Sequence, residues 1–397
     1  MQTGWLDAQV NLMESHEAIG ITGAKLVYPD GRLMEAGGIV WSDGTAANYG
    51  NRQDPILPEF NYVKEVDYIS GAAIMVRKKR WDKIGGYMDK KNTIHILMAT
   101  YNGQEYLREQ LESICRQSIQ NWVLHICDDC SMDETIEIAE QFAERYANQI
   151  FIMKNEKNIG TKQTFARLIR EVREPGDYAF CDQDDVWSEN KLEIMQKRLR
   201  IEEKKNEPLL VYSDSNLIDE KGNCIGESLV NSSGLFLAEK KIFESLLSCN
   251  MVQGAAMLWN WRLHQLITDI PKQALMHDWW VALVAAGNGR IVFIPEKLSR
   301  YRQHTNNVTG GFDRQKWHKS FLKKIYIKNW KTLIVNNHIL QAERIEQAQV
   351  YITRYSDDRA EEYIRIMSKG RIMRTYLGIR RGYLFMSWEY SIKYYLL

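Results

Sequence analysis

IHILMATYNGQEYLREQLESICRQSIQNWVLHICDD (94–129) holds two short apolar runs, 94–99 and 122–127, joined by a segment in which Leu107, Leu111 and Ile114 recur at helical spacing. Runs this short and ungapped suit strands covered on both faces, and the single apolar stripe between them suits a crossover helix. IFIM (150–153) and DYAFC (177–181) continue the pattern. Ile136, Ala139, Phe142, Ala143 and Tyr146 precede the first of these, and Phe165, Leu168, Ile169 and Val172 precede the second. This alternation with short joins predicts an α/β fold whose sheet is mostly parallel with right-handed crossovers, and it puts a ligand at the carboxyl ends of the strands. Conspicuous polar clusters stand at those ends. Ser131 and Glu134 have the spacing of a capping box, which predicts that the second helix opens just after Ser131.

Working outward, the 397 residues leave room for two or three domains. With 52 Lys and Arg against 51 Asp and Glu, a net charge of +1 gives no whole-chain field to draw nucleic acid, and no nucleic-acid partner is expected. The six cysteines, at 115, 127, 130, 181, 224 and 249, are irregularly spaced within apolar or functional-looking segments, so reduced thiols are expected rather than a disulfide framework. Cys127 and Cys130 lack the second pair that a zinc site would need, and Cys127 reads as a strand residue. The first twenty residues lack the basic and apolar parts of a signal peptide, and no run of about 18 apolar residues exists to span a bilayer. The expectation is a cytoplasmic protein, free or peripheral at the inner face of the plasma membrane.

An internal repeat marks the N-terminal part. LVYPD (26–30) matches LVYSD (210–214), and SGAAIMV (70–76) resembles QGAAMLW (253–259), at offsets of 184 and 183 residues. Residues 1–88 thus read as a partial copy of the later half of the main domain, with no counterpart of its polar strand ends. From residue 313 on there are seventeen Lys and Arg against eight Asp and Glu, in segments rich in aromatics. Helices of this kind either lie on an anionic membrane surface or pack on the main domain with a solvated basic face.

The chemistry is concentrated in four places. At the end of the fourth run stands CDQDDVW (181–187). Asp182, Asp184 and Asp185 repel one another and lose hydration on burial, so a sheet end that gathers them calls for a compensating cation. Hard carboxylate oxygens suit Mg²⁺ or Mn²⁺, with a diphosphate completing the coordination shell. The plainer alternative is an acidic turn into a helix capped by Ser188. Asp128 and Asp129 end the second run beside Thr100 and Tyr101. A carboxylate there can accept the imide N–H of uracil or thymine while Tyr101 stacks on the ring, or both aspartates serve a turn. His277-Asp278-Trp279-Trp280 sets one carboxylate among bulky apolar neighbours, which raises its proton affinity and suits a general base. Tyr301-Arg302-Gln303-His304 offers a cation, an amide and an imidazole to a phosphate or metal. For the last two clusters a structural role is the competing reading.

Together, ATYNG (99–103), the YLREQLESICRQS helix, CDDCSMDET (127–135), NEKNIG (155–160) and CDQDDVW (181–187) resemble family 2 glycosyltransferases. HDWW (277–280) and YRQHTNNVTG (301–310) bring the likeness nearest to the bacterial rhamnosyltransferases that extend cell-surface polysaccharides. The resemblance covers about residues 92–310 in order. It implies a GT-A fold, a mixed, mostly parallel sheet flanked by helices, here with a helical C-terminal extension. Three domains follow: a partial glycosyltransferase-like segment at 1–88 without a nucleotide site, a catalytic domain at 92–310, and a basic aromatic helical tail at 311–397.

By the same resemblance Ala99, Tyr101 and Asp129 contact the nucleotide base, Asp182 and Asp184 form the D-x-D site for metal and diphosphate, and Asp278 is the catalytic base. His304 is a contact to diphosphate or metal. The implied reaction is inverting transfer of a sugar from a nucleotide-diphosphate donor, dTDP-L-rhamnose before UDP-hexoses, to a saccharide or lipid-linked saccharide. Two other classes remain as alternatives. A metal-dependent nucleotidyltransferase would want a Gly-rich basic loop after the first strand, which ATYNGQEYL lacks. An inactive sugar-nucleotide-binding module would have no use for a base at Asp278.

Overall fold

The computed structural model describes residues 5–19, 21–40, 46–61, 63, 65–66, 74–77, 92–233, 241–304 and 330–383. The chain divides into two compact units, Met1–Tyr87 and Met88–Leu397. In the first, a helix at Trp5–Ser15 precedes short antiparallel pairs: Ile21–Gly23 with Ile74–Val76, Leu26–Val27 with Leu33–Glu35, and Gly38–Val40 with Ala46–Asn48. Were the repeat carried into the fold, residues 26–28 would pair with 74–76, as Leu210–Tyr212 pair with Met257–Trp259 in the second unit. The described strands instead pair 21–23 with 74–76. Residues 70–73 of the second motif lie outside the described residues.

In the second unit the described residues form a sheet of nine strands. They are β1 (Ile94–Thr100), β2 (Trp122–Asp128), β3 (Ile150–Lys154), β4 (Asp177–Cys181), β5 (Val186–Trp187), β6 (Leu209–Ile218), β7 (Cys224–Gly226), β8 (Met257–Trp259) and β9 (Arg290–Arg302). The order across the sheet is β5-β9-β6-β8-β4-β1-β2-β3, with β7 paired to β6. Strands β3, β2, β1 and β4 run parallel, β8 is antiparallel between β4 and β6, and β6 and β9 are again parallel. The result is mixed and mostly parallel, so six strands point their carboxyl ends to one rim.

Side chains alternate across this sheet with period two, which builds one core on each face. Ile96 and Met98 of β1, with Ala179 and Cys181 of β4, face α1 (Leu107–Cys115), α2 (Thr135–Arg145) and the later helix carrying Leu192, Met195 and Leu199. Tyr178 and Phe180 of β4, with Leu210 and Tyr212 of β6, face α3 (Thr161–Glu171) and the long apolar helix that begins at His277. The helix with Leu192 is α4 (Lys191–Glu202). Strand β3 departs from the expectation of burial on both faces: Phe151 is exposed, because β3 is the last strand and pairs only with β2.

Later come α5 (Leu229–Ser233), α6 (Ile242–Ser248), α7 (Trp261–Leu266) and α8 (His277–Asn288). The described part of the tail is α9 (Trp330–Tyr355), α10 (Asp358–Met367) and α11 (Arg371–Arg381). These helices pack on the sheet unit. Tyr351, Tyr363 and Tyr383 are buried in the same core as Phe243 and Trp280, and Leu275 N–H donates to Gln347 Oε1 at 2.9 Å. Of the two readings of the basic tail, packing is what these helices show; residues 305–329 and 384–397 lie outside the described residues. No helix among the described residues is long and apolar enough to cross a membrane.

Candidate active site

The rim is set by how β1 and β2 end. Thr100 Oγ1 donates to Asp128 Oδ1 at 2.9 Å, and Asp128 also receives the Ser131 hydroxyl (2.6 Å) and the Ser131 N–H (2.8 Å). Asp128 is therefore a structural residue of the turn. Ser131 further accepts the Asn102 N–H at 2.9 Å, so the expected capping box does not form: α2 opens at Thr135, and its N-cap Glu134 makes no side-chain cap. The buried carboxylate is the stronger partner for the hydroxyl, and charge-assisted bonds outweigh neutral ones.

Between Asp182 and Asp184, Gln183 reaches across to β1. Its Oε1 accepts the Tyr101 N–H at 2.9 Å and its Nε2 donates to the Tyr101 carbonyl at 3.0 Å. Gly103 is needed beneath this clamp, since a Cβ there would collide with the Gln183 amide. Strand β5 then pairs antiparallel with β9, Val186 opposite Arg300, and this register carries the end of β9 back to the acidic turn. His304 Nε2 lies 2.7 Å from Asp184 Oδ2 as a consequence. Tyr106 stacks on the His304 ring with centroids 5.1 Å apart.

One cavity of about 470 Å³ opens at this rim. Ala99 and Tyr101 line it from β1, Asp129 from beyond β2, Asp182 and Asp184 from beyond β4, Asp278 from the first turn of α8, and His304 from beyond β9. The structure thus brings these seven residues to one place, whereas Asp128, Asp185 and Arg302 do not line the cavity. Tyr101 is 41% exposed, open to a stacking ring. Asp129 is buried and already accepts from Asn155 Nδ2 (2.7 Å), Ile159 N (2.9 Å) and Gly160 N (2.7 Å). Of roughly four acceptor positions on a carboxylate, those bonds fill three.

Asp278 is held by its surroundings. Its Oδ1 accepts the Trp279 N–H at 2.7 Å and its Oδ2 the Gly254 N–H at 3.2 Å. Burial nonetheless raises its pKa to about 6, against the pull of those bonds, which suits a group that takes up a proton near neutrality. Asp182 is raised to about 7, by burial first and then by the charges of Asp184 and Asp278. Asp185 is fully buried, accepts the Arg302 N–H at 3.1 Å, and is raised by burial, with Asp184 and Asp182 adding to the effect. It does not line the cavity and serves the turn.

Arg302 corrects one expectation. Its guanidinium is 2% exposed and donates to the carbonyls of Asp184 (2.8 Å), Asp219 (3.3 Å) and Glu220 (3.1 Å) and to Glu109 (2.5 Å). It therefore braces the acidic turn and is not offered to a phosphate. Lys191 was not singled out from the sequence. It is fully buried, donates to the Ala255 carbonyl at 2.6 Å and lies 4.0 Å over the Trp187 ring. Burial lowers its pKa to about 8, while Cys181, Asp185 and Asp182 oppose that shift. A lysine on the same stripe as Leu192, Met195 and Leu199 was the available signal, because a charge on an apolar face implies a buried partner.

Among the described residues no group of three or more His, Cys, Asp or Glu forms a ready cage for a metal. Asp184 and His304 meet at one point, with Asp182 one residue removed along the turn. This donor set fits a cation that takes most of its oxygens from a bound diphosphate, as small hard cations commonly do.

Residues 95–216 match the family model described as Glycosyl transferase family 2. An uncharacterized protein of Mycobacterium tuberculosis (strain H37Rv) is 26% identical over 239 residues, 60% of this chain and 63% of that protein, so the chain spans less than two thirds of that relative. The dTDP-rhamnosyl transferase RfbG of Shigella flexneri is 29% identical over 266 residues, 61% of this chain and 88% of that protein. Among solved structures, the mannosyltransferase PcManGT from Pyrobaculum calidifontis, in complex with GDP-Man and Mn²⁺, aligns with 80% of this chain and 90% of its own at 15% identity and a TM-score of 0.43. The HDWW and YRQH motifs fall beyond the matched range, but the strand ends that carry Ala99, Tyr101, Asp129, Asp182 and Asp184 fall within it. Residues 95–216 of this chain are a glycosyl transferase family 2 domain.

Proposed function

We propose that this chain is an inverting glycosyltransferase that moves a sugar from a nucleoside-diphosphate donor to a saccharide or lipid-linked saccharide of the cell surface. The observation that carries the reading is the convergence of Asp129, Asp184 and Asp278 on one cavity from three distant segments. In this reading Tyr101 and Asp129 receive the pyrimidine base, and Asp278 faces the acceptor. The acceptor oxygen attacks the anomeric carbon as the bond to the diphosphate breaks, and the acceptor proton passes to Asp278. Asp184, with His304 and Asp182, would hold a divalent cation, Mg²⁺ or Mn²⁺, which would supply neutralising charge to the diphosphate. A raised proton affinity at Asp278 supports the assignment of the base.

Similarity to dTDP-rhamnosyl transferase RfbG supports dTDP-L-rhamnose as the donor. A panel of dTDP- and UDP-sugars, scored by release of nucleoside diphosphate with Asp278→Asn as control, tests both parts. Release from dTDP-L-rhamnose above all others is expected. Release from no nucleotide sugar in the presence of Mg²⁺ or Mn²⁺ and crude acceptor would remove the reading.

A further inference from the structure

His277 is 4% exposed, and neither of its ring nitrogens has a hydrogen-bond partner among the described residues. Packing fixes the ring: it stacks on Phe165 with centroids 3.9 Å apart and meets Phe180 edge-on at 4.8 Å. Burial depresses its pKa to about 3, so at working pH the imidazole is neutral and presents one N–H and one lone pair. Gln253 adds an independent observation, since its Nε2 is likewise buried without a partner. Both residues line the same cavity as Asp278. Gly254, between Gln253 and the base, gives its N–H to Asp278 Oδ2 at 3.2 Å, and a Cβ on it would come within 3.4 Å of His277 Nε2.

A donor, an acceptor and an amide N–H thus converge beside the base, and no described protein group uses them. Dry polar atoms are costly, and native proteins leave few of them unless a bound molecule completes them. The chemistry selects the molecule. A hydroxyl both gives and accepts a hydrogen bond, as a neutral imidazole requires, whereas a phosphate brings no proton for the lone pair and is repelled by the neighbouring Asp278. We propose that His277 and Gln253 form the subsite that holds hydroxyl groups of the sugar being transferred. This rests on the cavity being a nucleotide-sugar site, and it adds which residues recognise the sugar.

The test compares nucleotide sugars with their sugar-free nucleotides on the full chain, using titration calorimetry with dTDP, UDP, dTDP-L-rhamnose and UDP-glucose. His277→Phe keeps the ring stacking and removes both nitrogens. It should weaken the preferred nucleotide sugar at least tenfold while leaving dTDP or UDP within twofold of wild type. His277→Gln should recover part of the loss by returning an amide N–H, and Gln253→Leu should cost several-fold on the same ligand alone. If His277→Phe fails to give a cooperative melt, Gln253→Leu carries the comparison. Equal effects on sugar-bearing and sugar-free nucleotides, or no effect on either, overturn the subsite while the nucleotide site stands. Absence of any binding by wild type overturns the glycosyltransferase reading and the subsite with it.

Discussion

Asp278 Oδ2 accepts the backbone N–H of Gly254 at 3.2 Å, and the neighbouring carbonyl of Ala255 accepts the buried ammonium of Lys191 at 2.6 Å. The proposed base is therefore oriented by the 253–256 turn as well as by its own helix, and that turn is pinned from the opposite core.

The first prediction concerns protons. Asp278 acts as a base only when ionised, and its pKa is raised to about 6. Turnover should be flat above that pH and fall about tenfold per unit below it, as the carboxylate protonates. Asp278→Asn should bind donor normally and lose at least about 10²-fold in kcat, with the acid limb gone. Steady-state rates from pH 4.5 to 8 decide this; an unchanged acid limb in the variant would place the base elsewhere.

The second prediction concerns the cation. Asp184→Ala should abolish stimulation by Mg²⁺ or Mn²⁺, and His304→Ala should weaken it, because the two side chains meet at 2.7 Å. A cooperative thermal melt should persist in both, since these half-buried groups lie on the rim rather than in either core. Wild-type turnover in Asp184→Ala would end the metal reading.

Lys191→Met is expected to act on stability. It removes a fully buried cation near Asp182 and Asp185 and leaves the Ala255 carbonyl without its donor. A loss of roughly 3 kcal/mol should appear in urea unfolding, the usual scale for breaking a buried charge arrangement. A loss below about 1 kcal/mol would show that the ammonium is dispensable.

The tail offers a fourth test. On α11, Ile372, Met373 and Tyr376 are exposed beside Arg380 and Arg381, a face of the kind that settles on anionic lipid. Truncation would cut away buried Tyr351 and Tyr363, so the better probe is the double substitution Ile372→Glu with Tyr376→Glu. Co-sedimentation with phosphatidylglycerol vesicles should fall several-fold while stability stays within about 0.5 kcal/mol, as for surface changes generally. Unchanged sedimentation would remove α11 from membrane binding.

The alternation of strands and helices and the strand ends that carry Asp129, Asp182 and Asp184 were legible because apolar periodicity is a local signal. Asp182 and Asp184 stood out by residue type and neighbours, whereas for Asp278 those left a structural role open and the family resemblance pointed to the base. Gln183 could not, since its clamp on Tyr101 depends on β4 lying beside β1. Arg302 looked available for phosphate until the pairing of β5 with β9 turned it into a brace. Ser131 looked like a cap because the nearer claim of Asp128 is invisible without the turn. What escaped the sequence is what long-range register decides.

The burial of Tyr351, Tyr363 and Tyr383 in the core shared with Phe243 and Trp280 has a consequence for synthesis. A nascent chain that has emerged only as far as residue 304 carries every described strand yet leaves that aromatic wall bare to water. Final consolidation of the sheet must then await the emergence of residues 351–383, and until that moment the unfinished wall is a surface for chaperones to shield.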